Sequence, residues 1–117
     1  SPDKKIVSWA KKNKVNLVVT TKPDEAVKGS DCVMTDKWVS MNDKVNKKAK
    51  KKILKPFQVN KKLMNKANSD AIFMHCLPVG RGEEVTDEII DGKQSVVWRQ
   101  ALNRVHAQKS IIKWCLD

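Results

Sequence analysis

Two short segments of the sequence carry side chains suited to binding a polar ligand and to moving a proton. The first, DKWVSM, begins with the carboxylate of Asp36 and includes the hydroxyl of Ser40. The second, HCLP, begins with the imidazole of His75 and the thiol of Cys76. Such groups are costly to bury without a partner and often gather at functional sites. Because each segment follows an apolar run, we expect both to begin where a buried strand ends.

Each of these residues also has an ordinary structural role open to it. Cys76 is of a type that is often an inert, buried thiol beside an apolar strand. Asp36 could simply cap a turn, and Ser40 could cap the helix that follows. Four further candidates also have structural alternatives. His75 could be a satisfied structural histidine, Trp38 and Met41 could be core residues, and Arg104 could be a surface cation.

Hydrophobic periodicity predicts the elements that position the two segments. Strands alternating with helices are typical of βαβ units, so we assign the α/β class, a Rossmann-like parallel sheet with helices on both faces. Ligands bind such sheets beyond the carboxyl ends of the strands, where DKWVSM and HCLP should converge. The predicted helices are 2–13, 24–28, a lysine-rich helix ending near 54, 60–67, 86–90 and 101–116, and the predicted strands are 16–20, 31–35, 71–74 and 95–98.

Length and composition narrow the possible functions. The 117 residues suffice for one domain, not for two domains with a cleft between them. The net charge of +11 comes mainly from lysines without the arginine clusters or interleaved aromatics of a nucleic-acid site, so we predict a solvated lysine surface and no nucleic-acid partner. Three cysteines without a C-x-x-C pair indicate neither a disulfide framework nor a zinc site, and they fit a reducing, cytoplasmic compartment. No apolar run approaches the roughly 20 residues that span a bilayer, and the first residues lack the layout of a secretory signal.

Four motifs occur together and in order: TDxWxSM at 35–41, HCLP at 75–78, RGEEV at 81–85 and NRxHAQK at 103–109. Together they make the sequence similar to the C-terminal domain of ornithine carbamoyltransferases. The resemblance implies that residues 1–117 are part of that ornithine-binding domain, with an incomplete sheet because its first strands lie outside the sequence. The family's phosphate-binding S-T-R-T segment, in the N-terminal domain, is also outside it.

The resemblance implies transfer of a carbamoyl group from carbamoyl phosphate to the side-chain amine of L-ornithine, which gives L-citrulline and phosphate. No metal or organic cofactor is expected, since phosphate is already a good leaving group. Family members are trimers whose active sites lie between domains and borrow residues from a neighbouring subunit. We therefore expect these 117 residues to need the N-terminal domain, and to show no carbamoyl transfer alone.

The resemblance also implies a role for each candidate residue. The amine of ornithine, with a pKa near 10.4, is about three pH units from its nucleophilic form at pH 7, so a proton acceptor is needed. Cys76 and Asp36 would be the catalytic residues, and Cys76, as a thiolate beside Asp36, could take that proton. The substrate-binding residues would be Asp36, Ser40 and Met41 for the α-amino and carboxylate end of ornithine, and Cys76, the Leu77 backbone and the Arg104 charge for the reacting groups.

Two departures from the family pattern leave alternatives open. Asn42 stands where the family usually has glycine, and the stretch before Asn103 reads WRQAL instead of FDEAE, so that Leu102 replaces an acid. One alternative is a sister carbamoyltransferase that accepts another amine, such as putrescine or an acetylated ornithine. A second is a basic binding module that acts through its lysines, and a third is a remnant without catalytic activity.

Overall fold

The computed structural model describes residues 2–39 and 46–117. Ser40, Met41 and Asn42 lie outside the described residues, so the predictions made for them stay predictions. The elements, in chain order, are α1 (Lys4–Lys12), α2 (Pro23–Val27), β1 (Cys32–Thr35), α3 (Lys47–Leu54), a 3₁₀ turn (Lys55–Phe57), α4 (Lys61–Met64), β2 (Ile72–His75), α5 (Asp87–Ile90) and α6 (Val97–Leu116).

The two strands form a small parallel sheet that frames the rest of the fold. β1 pairs with β2 in a register that sets Cys32 opposite Ile72 and Thr35 opposite His75. The crossover between the strands contains α3, the 3₁₀ turn and α4. On the far side of β2 a single bridge joins Phe73 to Ser95. The predicted α/β class, with an incomplete Rossmann-like parallel sheet, is confirmed.

The core lies against β2. Phe73 and His75 are buried, and the alternate residues of the strand, Ile72 and Met74, are partly covered, which is the period of two expected for a pleated strand. In β1 only Val33 is buried. The buried apolar cluster consists of Val27, Val33, Val59, Leu63, Met64, Phe73, Val85, Ile90 and Val97.

Short polar residues explain where three of the helices begin. The side chains of Asp3, Asn46 and Asn60 each accept a hydrogen bond from a backbone N–H in the first turn of α1, α3 and α4, respectively. Such caps satisfy N–H groups that have no partner within the helix. After α2 the chain reverses at Gly29, whose φ of +68° is a conformation that glycine adopts without steric cost. The end predicted for this helix is confirmed.

Two of the predicted strands are wrong. Residues 16–20 include the β-branched Val18, Val19 and Thr20, but in the described part of the chain they join no sheet ladder, and Val18 is 76% exposed. A strand needs a hydrogen-bonded neighbour as well as suitable residues, and β1 pairs only with β2. At residues 95–98 the apolar run makes one bridge at Ser95, and then α6 begins at Val97, four residues earlier than predicted. A short apolar run does not distinguish a strand from the buried first turn of a helix.

The different burial of Ile90 and Ile53 predicts that the same substitution changes stability at one position and not at the other. Ile90 is completely buried, whereas Ile53 on α3 is 71% exposed. We expect Ile90→Val to lower the free energy of unfolding by about 0.5 to 1.5 kcal/mol, because a buried methyl group is lost. Ile53→Val is the matched control and should stay within about 0.5 kcal/mol of the parent chain. Chemical denaturation followed by circular dichroism measures both, and equal effects would contradict the assigned core.

Candidate functional site

The strand register brings the two predicted segments together. Thr35 and His75 face each other at the ends of β1 and β2, so the next residues, Asp36 and Cys76, leave the sheet side by side. The Cys76 thiol donates a hydrogen bond to Asp36 Oδ1, with Sγ and Oδ1 3.0 Å apart. Both residues are exposed to solvent. The predicted convergence is confirmed, and Cys76 is not the buried thiol of its structural alternative, because it lies at the surface beside a carboxylate.

The hydrogen bond between Cys76 and Asp36 shifts the pKa of both groups. The hydrogen bond from Cys76 lowers the pKa of Asp36, helped by the backbone N–H of Lys37, which donates to Oδ1 over 2.6 Å, and by the charge of His75 when it is protonated. In turn, donation to Asp36 raises the pKa of Cys76, and partial desolvation and the carboxylate charge act in the same direction. The positive charge of Arg104 opposes that rise. At neutral pH the pair is therefore a carboxylate and a protonated thiol, not the thiolate expected from the sequence.

His75 shapes the loop from inside the core. Its side chain is completely buried, and Nδ1 accepts a hydrogen bond from the Leu77 N–H over 2.9 Å. Nε2 lies 3.5 Å from Oε1 of Glu84, whose side chain is also completely buried. Oε1 of Glu84 also accepts a hydrogen bond from the backbone N–H of Gly80. His75 is thus a buried residue that ties the HCLP loop to the core, but it is not fully satisfied, since Nε2 has no hydrogen-bond partner among the described residues.

Leu77 has an unusual backbone for a branched residue. Its φ is +58°, in the left-handed region that L side chains seldom occupy. The hydrogen bond to His75 stabilises this conformation and uses the Leu77 N–H. From the residues that the structure describes, the Leu77 carbonyl oxygen receives no hydrogen bond. If the Leu77 backbone binds a substrate, as predicted, the carbonyl is the group left to do so.

Helix α6 delivers Arg104 to the same end of the sheet. Gln100, in the first turn of the helix, accepts a hydrogen bond from the His75 backbone N–H over 3.1 Å. Arg104 lies one turn further along, is exposed, and acts on Cys76 through its charge. Leu102, which replaces an acid of the family pattern, is 59% exposed. The site therefore contains a carboxylate, a thiol and a guanidinium, from three different elements.

Other residues in the motifs support the site without facing it. Trp38 is buried, so its core alternative is confirmed. Arg81 binds Asp87 at 2.6 Å and Asp91 at 2.5 Å, which fastens the loop after β2 to α5. No role was predicted for Glu84 or Gln100 from the sequence. A signal was present for each, since Glu84 lies in the RGEEV motif and Gln100 stands one helical turn before Arg104.

Taken together, the fold and the site define a class of protein. A Rossmann-like parallel sheet binds its ligand beyond the carboxyl ends of its strands. Here that edge carries an exposed pair, Asp36 and Cys76, with a guanidinium nearby. The chain is thus an α/β domain whose ionisable side chains gather at the carboxyl ends of its two strands.

Comparison with known proteins identifies the family. The family model described as the Asp/Orn binding domain of aspartate/ornithine carbamoyltransferase matches residues 1–115. The ornithine carbamoyltransferase of Rhodopseudomonas palustris is 58% identical over 116 residues, which cover 99% of this chain and 37% of that protein. The chain belongs to the aspartate/ornithine carbamoyltransferase family, and it spans just over a third of the length of the curated relatives it matches.

Solved structures give the same answer for the fold. The ornithine carbamoyltransferase from Pyrococcus furiosus is similar with a TM-score of 0.85 and 46% identity, over 96% of this chain and 37% of that one. The anabolic ornithine carbamoyltransferase from Campylobacter jejuni is similar with a TM-score of 0.86 and 34% identity, over 97% of this chain and 39% of that one. The resemblance stated from the four motifs is confirmed.

The hydrogen bond between Cys76 and Asp36 predicts how the thiol reacts. We expect Asp36→Asn to lower the pKa of Cys76, since the substitution removes the negative charge and weakens the acceptor that favour the protonated thiol. The pH profile of Cys76 alkylation by iodoacetamide, in a chain with Cys32→Ser and Cys115→Ser, should therefore move to lower pH. The matched control is Asp70→Asn, close to the other end of β2, which should leave the profile in place. An unchanged profile in Asp36→Asn would show that the pair does not form in solution.

Proposed function

We propose that residues 1–117 are part of the C-terminal, ornithine-binding domain of an ornithine carbamoyltransferase. The reaction is transfer of the carbamoyl group from carbamoyl phosphate to the side-chain amine of L-ornithine, a step of arginine metabolism that yields L-citrulline. Membership of the family supports this proposal. The single observation that carries it is the hydrogen bond between Cys76 and Asp36, at the strand ends where a ligand of such a fold binds.

Asp36 supplies the negative charge that an amino acid with two ammonium groups needs. Its lowered pKa keeps it ionised throughout the neutral range, and it is exposed. In the proposed complex it binds the α-ammonium of ornithine through a charge-assisted hydrogen bond. Ser40 and Met41, outside the described residues, are proposed to hold the carboxylate end. A free α-amino group on the acceptor explains why a carboxylate stands at this position.

Binding of a cation at Asp36 prepares Cys76 for proton transfer. The pKa of Cys76 is raised first by its hydrogen bond to Asp36, then by partial desolvation and by the charge of Asp36. A bound ammonium competes for that oxygen and neutralises that charge, so the pKa of the thiol falls while Arg104 continues to favour the thiolate. The thiol releases its proton to solvent, and the resulting thiolate takes one proton from the side-chain ammonium of ornithine. Cys76 therefore becomes a proton acceptor only when the substrate is bound.

The freed amine attacks the carbonyl carbon of carbamoyl phosphate, the bond from that carbon to the phosphate oxygen breaks, and the nitrogen passes its second proton to the departing phosphate. Arg104 stabilises negative charge on the carbonyl and phosphate oxygens, as a guanidinium does for such groups. The Leu77 carbonyl oxygen accepts a hydrogen bond from the reacting amine and orients it. Cys76 forms no covalent bond with the substrate in this scheme, because the amine itself is the nucleophile.

The rest of the active site comes from outside these residues. The chain covers 37% of the Rhodopseudomonas palustris relative, and we propose that an N-terminal domain binds the phosphate group and that the complete enzyme is a homotrimer. All three cysteines are free and exposed, which suits a reducing compartment such as the cytoplasm. Within residues 2–39 and 46–117, none of the helices combines the length and the hydrophobicity needed to cross a bilayer.

A chimera tests the proposed reaction. This chain replaces the matching C-terminal part of the Rhodopseudomonas palustris enzyme, which is 58% identical to it. We expect the chimera to form citrulline from ornithine and carbamoyl phosphate, and to prefer ornithine over putrescine and N-acetylornithine. The 117 residues alone should form none. A correctly assembled chimera without activity would favour the non-catalytic remnant, and a preference for another amine would favour the sister enzyme.

Two substitutions in the chimera test the assigned roles. Cys76→Ala should lower kcat about 100-fold or more, since a positioned proton acceptor typically contributes a factor of 10² to 10⁴. Asp36→Asn should mainly raise KM for ornithine, because the ionic contact with the α-ammonium is lost. Cys115→Ala, which removes an exposed thiol near the end of α6, is the control and should leave both constants unchanged. Full activity in Cys76→Ala would contradict the mechanism.

A further inference from the structure

At the junction between β2 and α6, a hydrogen bond from the His75 N–H to the Gln100 side chain stands where the backbone bonds of the sheet end. On the side of β2 away from β1, the Phe73 N–H donates to the Gln94 carbonyl over 2.8 Å, and the Phe73 carbonyl accepts from the Val96 N–H over 3.0 Å. Backbone groups two residues apart on a strand point to the same side. The N–H of His75 therefore points toward the continuation of the Gln94 segment.

At that point the neighbouring segment is no longer extended. Helix α6 has begun at Val97, so no backbone carbonyl continues the ladder opposite His75. The side-chain oxygen of Gln100 takes its place and accepts from the His75 N–H over 3.1 Å, in a partly buried position. An unpaired backbone N–H in such a place would be destabilising, because it would lose its hydrogen bonds to water without gaining another. The hydrogen bond from His75 thus joins the first turn of the helix to the last residue of the strand.

The same helix turn determines where Arg104 lies. Gln100 and Arg104 are four residues apart and share one face of α6. Cys76 directly follows the residue to which Gln100 is bonded. A rotation or slide of the helix that broke the Gln100 contact would therefore move Arg104 relative to Cys76.

We propose that Gln100 is a positioning residue, which docks the first turn of α6 on the end of β2 and so holds Arg104 beside Cys76. The importance of this contact for catalysis rests on the proposed function, in which Arg104 stabilises the transferring group and Cys76 takes the proton. The positioning itself does not depend on any substrate. Gln100 touches neither reactant and acts only through Arg104.

The test measures the Cys76 thiol in the 117-residue chain with Cys32→Ser and Cys115→Ser. Iodoacetamide alkylation is followed by mass spectrometry across pH. Arg104→Gln removes a charge that favours the thiolate, so alkylation at pH 7.5 should slow about two- to fivefold, the size expected of one exposed charge acting on another. Gln100→Met, which keeps the side-chain length but removes the acceptor, should slow it in the same direction.

A double variant separates positioning from a direct effect. If Gln100 acts through Arg104, Gln100→Met combined with Arg104→Gln reacts no more slowly than Arg104→Gln alone. Gln108→Met, on the same helix and exposed, is the matched control and should react like the parent chain. Circular dichroism checks that each variant folds, and Gln100→Asn, too short to reach His75, replaces Gln100→Met if that variant unfolds.

Three results would overturn the proposal. They are an unchanged rate in Arg104→Gln, an unchanged rate in a folded Gln100 variant, and additive effects in the double variant. Because alkylation needs neither ornithine nor carbamoyl phosphate, the outcome is independent of whether the chimera forms citrulline. A failure of the proposed reaction and a failure of the positioning role are thereby distinguished.

Discussion

The parallel pairing of β1 with β2 is the constraint on which the site depends. With Thr35 opposite His75, the two chains leave the sheet at the same level, and Asp36 and Cys76 become neighbours. A change of register by one residue would move one of them along the sheet edge and turn its side chain toward the other face. The buried residues Val33 and Phe73 are partners in this register, and a shift by one residue would turn one of the strands so that its buried residue left the core.

The second layer of support comes from buried polar groups around His75. Its ring accepts from Leu77 and faces Glu84, while its backbone N–H donates to Gln100. Through its ring and its backbone N–H, His75 thus connects the loop after β2, the RGEEV segment and helix α6 at the end of one strand. Buried polar groups need such partners, and networks of this kind define one arrangement among several that apolar packing alone would allow.

The charges of the site favour a particular kind of ligand. The carboxylate of Asp36 is stabilised in its ionised form, and the thiol of Cys76 is held protonated by it. In the proposed function, an ammonium group bound to Asp36 releases the thiol, so that recognition of the substrate is coupled to activation of the proton acceptor.

Much of this arrangement follows from the sequence. The apolar runs before Asp36 and Cys76 predict the two strands, and the rule that ligands bind beyond strand ends predicts that the two residues converge. The strand predicted at 16–20 failed because pairing depends on neighbours that propensity does not supply. The start of α6 was misplaced because Val97 is apolar and buried in either conformation. The roles of Glu84 and Gln100 depend on contacts between distant segments, and no local pattern reveals which backbone group each of them meets.

The most direct test of the pairing is the titration of the Asp36 carboxyl carbon by ¹³C NMR, in the chain and in Cys76→Ala. We predict that Asp36 titrates below the ordinary aspartate value of about 3.9, and that its midpoint rises toward that value when the Cys76 thiol is removed. An Asp36 midpoint that is the same with and without the Cys76 thiol would contradict the account, since the two groups would then not share a hydrogen bond.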